Sequence, residues 1–210
     1  MRLRTDKAAH EKLAARPERV VILDPDALTQ LDHVATQSSL ALEIGCGKGG
    51  FIKELAPHFP KTHFFAFEKF ETILVKALLK YDQSPSPNIT YVSGDATHLA
   101  ACFKPLSIED IYLNFSDPWP KARHEKRRLT YPTQLTHYHQ LLKADGTLHL
   151  KTDNRSFFYY SLIALQANGF AITDFTTDLS HSDWFNVPTE FEARYTPTTP
   201  IHALKARKQV

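Results

Sequence analysis

Apolar residues fall along this chain in two alternating rhythms. Short continuous runs end in glycine or a polar residue, and between them apolar positions recur every three or four residues. "LALEIG" (Leu40 to Gly45) is the first such run. Ile52, Leu55, Ala56 and Phe59 follow at i, i+3, i+4 and i+7, one face of a helix. "HFFAFE" (His63 to Glu68) predicts a second strand, and Ile73, Leu74, Ala77, Leu78 and Tyr81 a second helix. After a "SPSP" loop, "NITYVSGD" reads as a third strand with a turn, and "DIYLNF" (Asp110 to Phe115) as a fourth. Leu135, Tyr138 and Leu142 predict a helix that closes at Asp145-Gly146, before a fifth strand in "TLHLKTD". Phe158, Leu162 and Leu165 predict another helix, ended by Asn168-Gly169. "FAITDFT" and "IHALKAR" make a sixth and a seventh strand.

Strand and helix alternate through most of the chain, which predicts an α/β domain with a mostly parallel sheet. In such sheets a ligand sits beyond the carboxyl ends of the strands, where strand order reverses. Polar residues at strand ends are therefore the ones to inspect.

Composition narrows the class. A chain of 210 residues fits one globular domain. No apolar stretch is long enough to span a bilayer, and the N-terminus lacks the apolar core of a signal peptide, so a cytoplasmic protein with no membrane partner is expected. Two cysteines without a CxxC predict neither a disulfide nor a zinc site. His137 and His139, two apart on a helix, face different ways, so no metal is expected there either. Net charge is only +2, but the charge is pooled: Lys121, Arg123, Lys126, Arg127 and Arg128 lie within eight residues with one acid, Glu125.

"EIGCGKGG" places Gly45, Gly47 and Gly50 in a GxGxxG pattern between a strand and a helix. That pattern alone fits NAD, FAD or S-adenosylmethionine. Three acids sharpen it. Glu43 lies inside the apolar strand, where a carboxylate is costly without a partner. Pyrophosphate has no use for an acid at that point, whereas a sulfonium ligand with an α-amino group does. Glu68 ends the second strand, at a distance suited to ribose hydroxyls, and Asp95 ends the third, near where an adenine amino group would lie. The set resembles the nucleotide-binding half of class I S-adenosylmethionine-dependent methyltransferases.

A fourth acid, Asp117, ends the fourth strand in "NFSDPWPKARHEKRRLTYP" (Asn114 to Pro132). Pro118 and Pro120 stiffen the exit around Trp119, and the five cations that follow suit a phosphate backbone. This segment closely resembles the signature of the bacterial tRNA (guanine-N7-)-methyltransferase family. The resemblance extends to "LEIGCGKGGFI", "FEKF", "GDA", "LKTDN" and "TEFEARY", nearly the whole chain.

The resemblance implies a Rossmann-like class I methyltransferase fold with a seven-stranded sheet, and methyl transfer from S-adenosylmethionine to N7 of a guanine in the tRNA variable loop. Glu43, Gly45, Gly47, Glu68, Asp95 and Asp117 would meet the donor, with Asp117 also at the catalytic centre. Lys121, Asp153, Thr189, Glu190, Phe191 and Glu192 would contact the substrate, and Arg123, His124, Lys126, Arg127 and Arg128 the RNA. Residues 28–210 form the methyltransferase domain in this reading. Residues 1–27 form a basic segment, flexible until RNA binds, and the protein is a monomer or homodimer. Two rival readings are an NAD-dependent oxidoreductase and a non-catalytic RNA-binding module. Thr196 to Pro200 lacks the glycine the family carries before the last strand. Trp184 and Phe185 are read as loop anchors, and Cys46 as a small packing residue.

Overall fold

The structure, a computed structural model, describes residues 6–81, 83–195 and 199–209. Its elements run in the order α1 (Ala9–Ala14), β1 (Val20–Ile22), β2 (Ser39–Ile44), α2 (Gly50–Leu55), β3 (Thr62–Glu68), α3 (Glu71–Tyr81), β4 (Ile89–Ser93), α4 (Leu99–Cys102), β5 (Ile108–Asn114), α5 (Pro132–Leu141), β6 (Leu142–Thr152), α6 (Arg155–Ala167), β7 (Phe170–Thr176), α7 (Glu192–Tyr195) and β8 (His202–Lys208).

The strands form one sheet in the order β1-β4-β3-β2-β5-β6-β8-β7. β8 runs antiparallel to β6 and β7, and every other neighbouring pair is parallel. The α/β expectation holds, with one correction of number. There are eight strands among the described residues, not seven. The extra one, β1, comes from the segment read as separate from the domain. Its Val20, Val21 and Ile22 pair with Tyr91, Val92 and Ser93 of β4. Ala9 and Leu13 of α1 and Val20 of β1 are buried in the same apolar cluster as Leu74, Ala77 and Leu78 of α3. Three residues and a helix of six gave too short a period for the sequence to reveal. The missing family glycine concerns residues 196–200, of which 196–198 lie outside the described residues.

A second correction concerns α5 and β6. The helix stops at Leu141 and the strand starts at Leu142, with its register against β5 broken between Ile108↔Leu142 and Asp110↔Thr147. Asp145-Gly146 thus falls in an irregularity within β6, not at a helix end.

Period-two alternation splits the core between the two faces of the sheet. Leu40, Leu42 and Ile44 of β2, Ile111 and Leu113 of β5, and Leu148 and Leu150 of β6 enter the larger cluster, covered by α4, α5 and α6. Ala41 of β2 enters the other cluster, under α1, α2 and α3. Strand order reverses between β2 and β5, because the chain leaves β2 toward β3 on one side while β5 lies on the other. The carboxyl ends of these two strands bound the crevice in which α/β sheets bind ligands.

Candidate active site

The loop after β2 is anchored to β3 through its backbone. Gly45 and Cys46 both donate their N–H to Phe67 O at 2.8 Å. Gly47 takes φ +58°, a conformation that strains any residue with a Cβ, and donates its N–H to Glu68 Oε2 at 3.1 Å. Glu68 Oε1 accepts from Phe70 N at 2.9 Å. One carboxylate therefore joins the glycine loop to the β3–α3 turn. A carboxylate can accept about four such bonds, so it retains capacity for a ligand hydroxyl. Burial raises its pKa, partly offset by these backbone bonds and reinforced by the negative charge of Asp117.

Three polar side chains share one sheet face at the switch point. Glu43 follows the parity of Ala41, and Asn114 lies in register with Lys151. Asn114 Nδ2 donates to Glu43 Oε1 at 3.0 Å. Glu43 Oε2 and Asn114 Oδ1 are buried with no protein partner, and Ser116 Oγ close by in sequence is in the same condition. Glu43 is 2% exposed. Burial pushes its carboxyl up to about 7, against the Asn114 bond and the charge of Lys151. Two adjacent buried acceptors without donors are the complement of a compact cation rich in N–H groups.

Lys151 itself is already satisfied. Its Nζ donates to Asn186 Oδ1 at 2.8 Å, Val187 O at 2.9 Å and Glu192 Oε2 at 3.0 Å. Burial lowers its pKa and the neighbouring Glu192 opposes that shift. Glu192, 1% exposed, also accepts from Thr189 N at 2.7 Å and Asn186 Nδ2 at 3.1 Å. It returns its own N–H to Thr189 Oγ1 at 3.1 Å. Thr189-x-x-Glu192 is thus a capping box at the start of α7, riveted to β6 by a buried ion pair. Glu192, expected at the substrate, is turned into the protein instead.

The rest of that segment does reach the site. A cavity of about 160 Å³ opens between the glycine loop and residues 189–191. Glu43, Gly45, Gly47, Asn114, Phe115, Thr189, Glu190 and Phe191 line it. Glu190 lies directly on the loop: a Cβ on Gly50 would meet Glu190 Cγ at 2.6 Å. Its carboxylate pairs with Lys80 of α3. The rings of Phe115 and Phe191 meet at 4.6 Å between centroids, linking the end of β5 to this strap. Cys46 also lines the cavity, and burial together with Glu43 and Glu68 raises its thiol far above the ordinary value. It is a packed thiol, not a nucleophile.

Asp95 stands at the next strand end, where it caps a short 3-10 turn through Thr97 N and Oγ1, both at 3.0 Å. Lys69 Nζ lies 2.6 Å from it. Burial acts upward on its pKa, but Lys69 and Thr97 together bring it below the ordinary value. Asp117 is exposed on the turn after β5, and Asp153 is exposed just after β6. Neither lines the cavity, nor does Lys121.

The turn that carries Asp117 is strained. Phe115 (φ +50°) and Trp119 (φ +42°) are both left-handed, which costs a bulky residue about 1–3 kcal/mol each. Such strain persists only where surrounding contacts over-determine it. The cationic segment that follows is a 3-10 helix, Ala122–Arg127, in which Arg123, Lys126 and Arg127 are exposed. Arg127 lies 5.0 Å over the Trp119 ring and His124 meets it edge-on at 5.6 Å. Arg128 points the other way, to the carbonyls of Pro118 and Trp119. Trp184 is an anchor, packed on Leu179, Ile201 and Ala203 with Lys205 Nζ 4.1 Å over its ring, whereas Phe185 is exposed beside His58 and Phe59.

Sequence reasoning missed Asn114 and Lys151. The signal was present: each is a polar residue inside a strand whose alternate positions are apolar, in line with Glu43.

Comparison with known proteins identifies the family and the fold. The family model described as "Putative methyltransferase" matches residues 37–200. A Geobacillus thermodenitrificans protein named tRNA (guanine-N(7)-)-methyltransferase is 46% identical over 198 residues, 93% of this chain and 91% of that one. The antibiotic-resistance methyltransferase Kmr has the same fold, with a TM-score of 0.58 at 16% identity over 84% of this chain and 90% of that one. Haemonchus contortus phosphoethanolamine N-methyltransferase 2, solved with S-adenosyl-L-methionine, shares the fold at a TM-score of 0.52 and 14% identity, over 83% of this chain and 49% of that one.

Proposed function

This chain belongs to the tRNA (guanine-N7-)-methyltransferase family, and from that premise we propose that it methylates N7 of a guanine in the tRNA variable loop, with S-adenosylmethionine as donor. The observation that carries the donor assignment is the pair of unpartnered buried acceptors, Glu43 Oε2 and Asn114 Oδ1, at the switch point of the sheet. An α-ammonium group supplies the donors and the charge that this pair lacks. A nicotinamide dinucleotide would set its pyrophosphate near a carboxylate, so the oxidoreductase reading is not favoured.

S-adenosylmethionine, when bound, supplies an electrophilic methyl group on a sulfonium. Glu43 and Asn114 would hold its amino-acid end, Glu68 the ribose hydroxyls and Asp95 the adenine amino group. Gly47, with no side chain, leaves the loop backbone open to the ligand.

Guanine N7 carries a lone pair and no proton, so no general base is needed. What the protein supplies is alignment, exclusion of water and a negative charge near the purine as it becomes cationic. Asp117 provides that charge from the strained turn. Glu190 and Asp153 accept from guanine N1–H and its 2-amino group, which adenine does not offer. In the structure Glu190 is paired with Lys80, so the base would have to take the place of that lysine. Extruding the base from folded tRNA costs about a few kcal/mol, offset by phosphate contacts to Lys121, Arg123, His124, Lys126 and Arg127. Acting on tRNA, the protein works in the cytoplasm.

The test is to incubate the protein with unmodified tRNA transcript and methyl-labelled donor, digest the RNA and identify the labelled nucleoside. Label in 7-methylguanosine is expected. Label in another nucleoside would overturn the choice of atom, and an unlabelled tRNA would overturn the choice of acceptor.

A further inference from the structure

Arg128 closes the basic run, yet its side chain is only 14% exposed. Its guanidinium is engaged by the protein through two hydrogen bonds and one stacked ring. Nε donates to Pro118 O at 2.9 Å and Nη2 to Trp119 O at 3.1 Å. The group lies 4.1 Å over the ring of Tyr160 in α6, and Nη1 stands 3.7 Å from Glu125. The two carbonyls belong to the left-handed Trp119 and the residue before it, in a turn where Pro118 and Pro120 have no N–H to give. Phe115 N donates to Lys151 O at 2.8 Å, and among the described residues no backbone hydrogen bond beyond it holds residues 116–120.

We propose that Arg128 is a positioning residue for methyl transfer: by bridging the carbonyls of Pro118 and Trp119 it sets the turn that carries Asp117, and it does not bind RNA. The inference rests on the methyltransferase reading above and deepens it. A fork of parallel N–H donors is what two successive carbonyls require. Stacking on Tyr160 fixes the plane of that fork relative to α6. Lysine keeps the charge and most of the stem but cannot span both carbonyls in one plane. The two functions open to this cation, phosphate binding and turn support, therefore separate in an Arg128→Lys variant.

The experiment measures the single-turnover rate at saturating tRNA and donor, the salt dependence of tRNA binding, and S-adenosylhomocysteine affinity. The expected result for Arg128→Lys is a rate lowered roughly 10- to 100-fold, because misplacement by about 1 Å has effects of that size. The salt slope and the S-adenosylhomocysteine affinity stay at the wild-type values. An unchanged rate, or a defect confined to tRNA affinity, overturns the proposal. The same overturning follows from a salt slope in Arg128→Ala that falls by about 0.7–0.9, the amount expected when one phosphate is no longer neutralised.

Should Arg128→Lys not fold, Tyr160→Leu removes the stack and leaves every arm charge in place. A lowered rate at constant salt slope is then expected, and a full rate overturns the proposal. Trp119 emission in a Trp184→Phe background reads the turn without any product: a shift on Arg128→Lys is expected, and no shift overturns the inference. If the wild type makes a nucleoside other than 7-methylguanosine, the proposed reaction fails, while the rate ratio and the Trp119 signal still decide the role of Arg128.

Discussion

Asn114 Nδ2 donates to Glu43 Oε1 at 3.0 Å across the boundary between β5 and β2, and the remaining oxygen of each side chain, Glu43 Oε2 and Asn114 Oδ1, is left buried without a donor. A satisfied pair would be structural. Half of this one is unsatisfied, and that half is what a cationic ligand completes.

The free protein should therefore be under electrostatic strain at Glu43. Its carboxyl is raised from an ordinary 4.5 to about 7. The folded state binds this proton more tightly than the unfolded chain. The stability it brings is full at low pH and is lost as pH rises through about 7. The shift corresponds to about 3 kcal/mol. Glu43→Gln is expected to be more stable than the wild type near pH ~8, by up to about that amount, with the gain fading toward pH ~4.5. Urea unfolding at several pH values measures it. The same variant should bind S-adenosylhomocysteine at least about tenfold more weakly, since a charge-assisted bond contributes about 1.5–3 kcal/mol. A variant less stable than the wild type at both ends of the pH range would contradict the strain.

Lys151 and Glu192 form the buried rivet of the strap. Removing one partner of such a pair leaves a charge without compensation, so Glu192→Ala should lose about 3–5 kcal/mol in denaturant unfolding. The double variant Lys151→Met/Glu192→Leu should recover most of that loss while still binding substrate poorly, because the capping box at Thr189 is gone. Equal destabilisation in the single and double variants would show that the ion pair is not the cause.

Asp117→Asn removes the charge near the reacting purine and keeps the shape of the turn. Turnover should fall by about 10²-fold or more, the scale seen when one electrostatic interaction with the transition state is removed. Rapid-quench assay of methyl transfer reads this directly. Full turnover with unchanged donor affinity would remove Asp117 from the mechanism.

Arg123, Lys126 and Arg127 are the exposed cations of the 3-10 segment Ala122–Arg127. Their triple alanine variant should weaken tRNA binding and lower the salt slope by about 0.7–0.9 for each phosphate that is no longer neutralised. A salt titration of binding checks it, and an unchanged slope would mean that the RNA path lies elsewhere.

Much of this was legible in one dimension. β2 through β8 each announced themselves as an apolar run, and the glycine loop, the strand-end acids and the Pro-Trp-Pro segment could be placed on them, because strand and helix periods are local properties of the chain. The α/β alternation implied a crevice at the strand ends, but the strand order that sets it between β2 and β5 came only with the fold. What needed the folded molecule is every relationship that joins distant positions. Glu192 reads as a substrate residue until Lys151, 41 positions away, claims its carboxylate. Arg128 reads as one more cation until the chain folds back and gives it two carbonyls and the Tyr160 ring. β1 is three residues that mean nothing until Tyr91 and its neighbours on β4 offer a parallel edge. A buried charge or an orphaned carbonyl is costly in a way that depends on what surrounds it in space, so the direction in which each polar side chain points was decided by packing, after the local patterns had already set where the strands would lie.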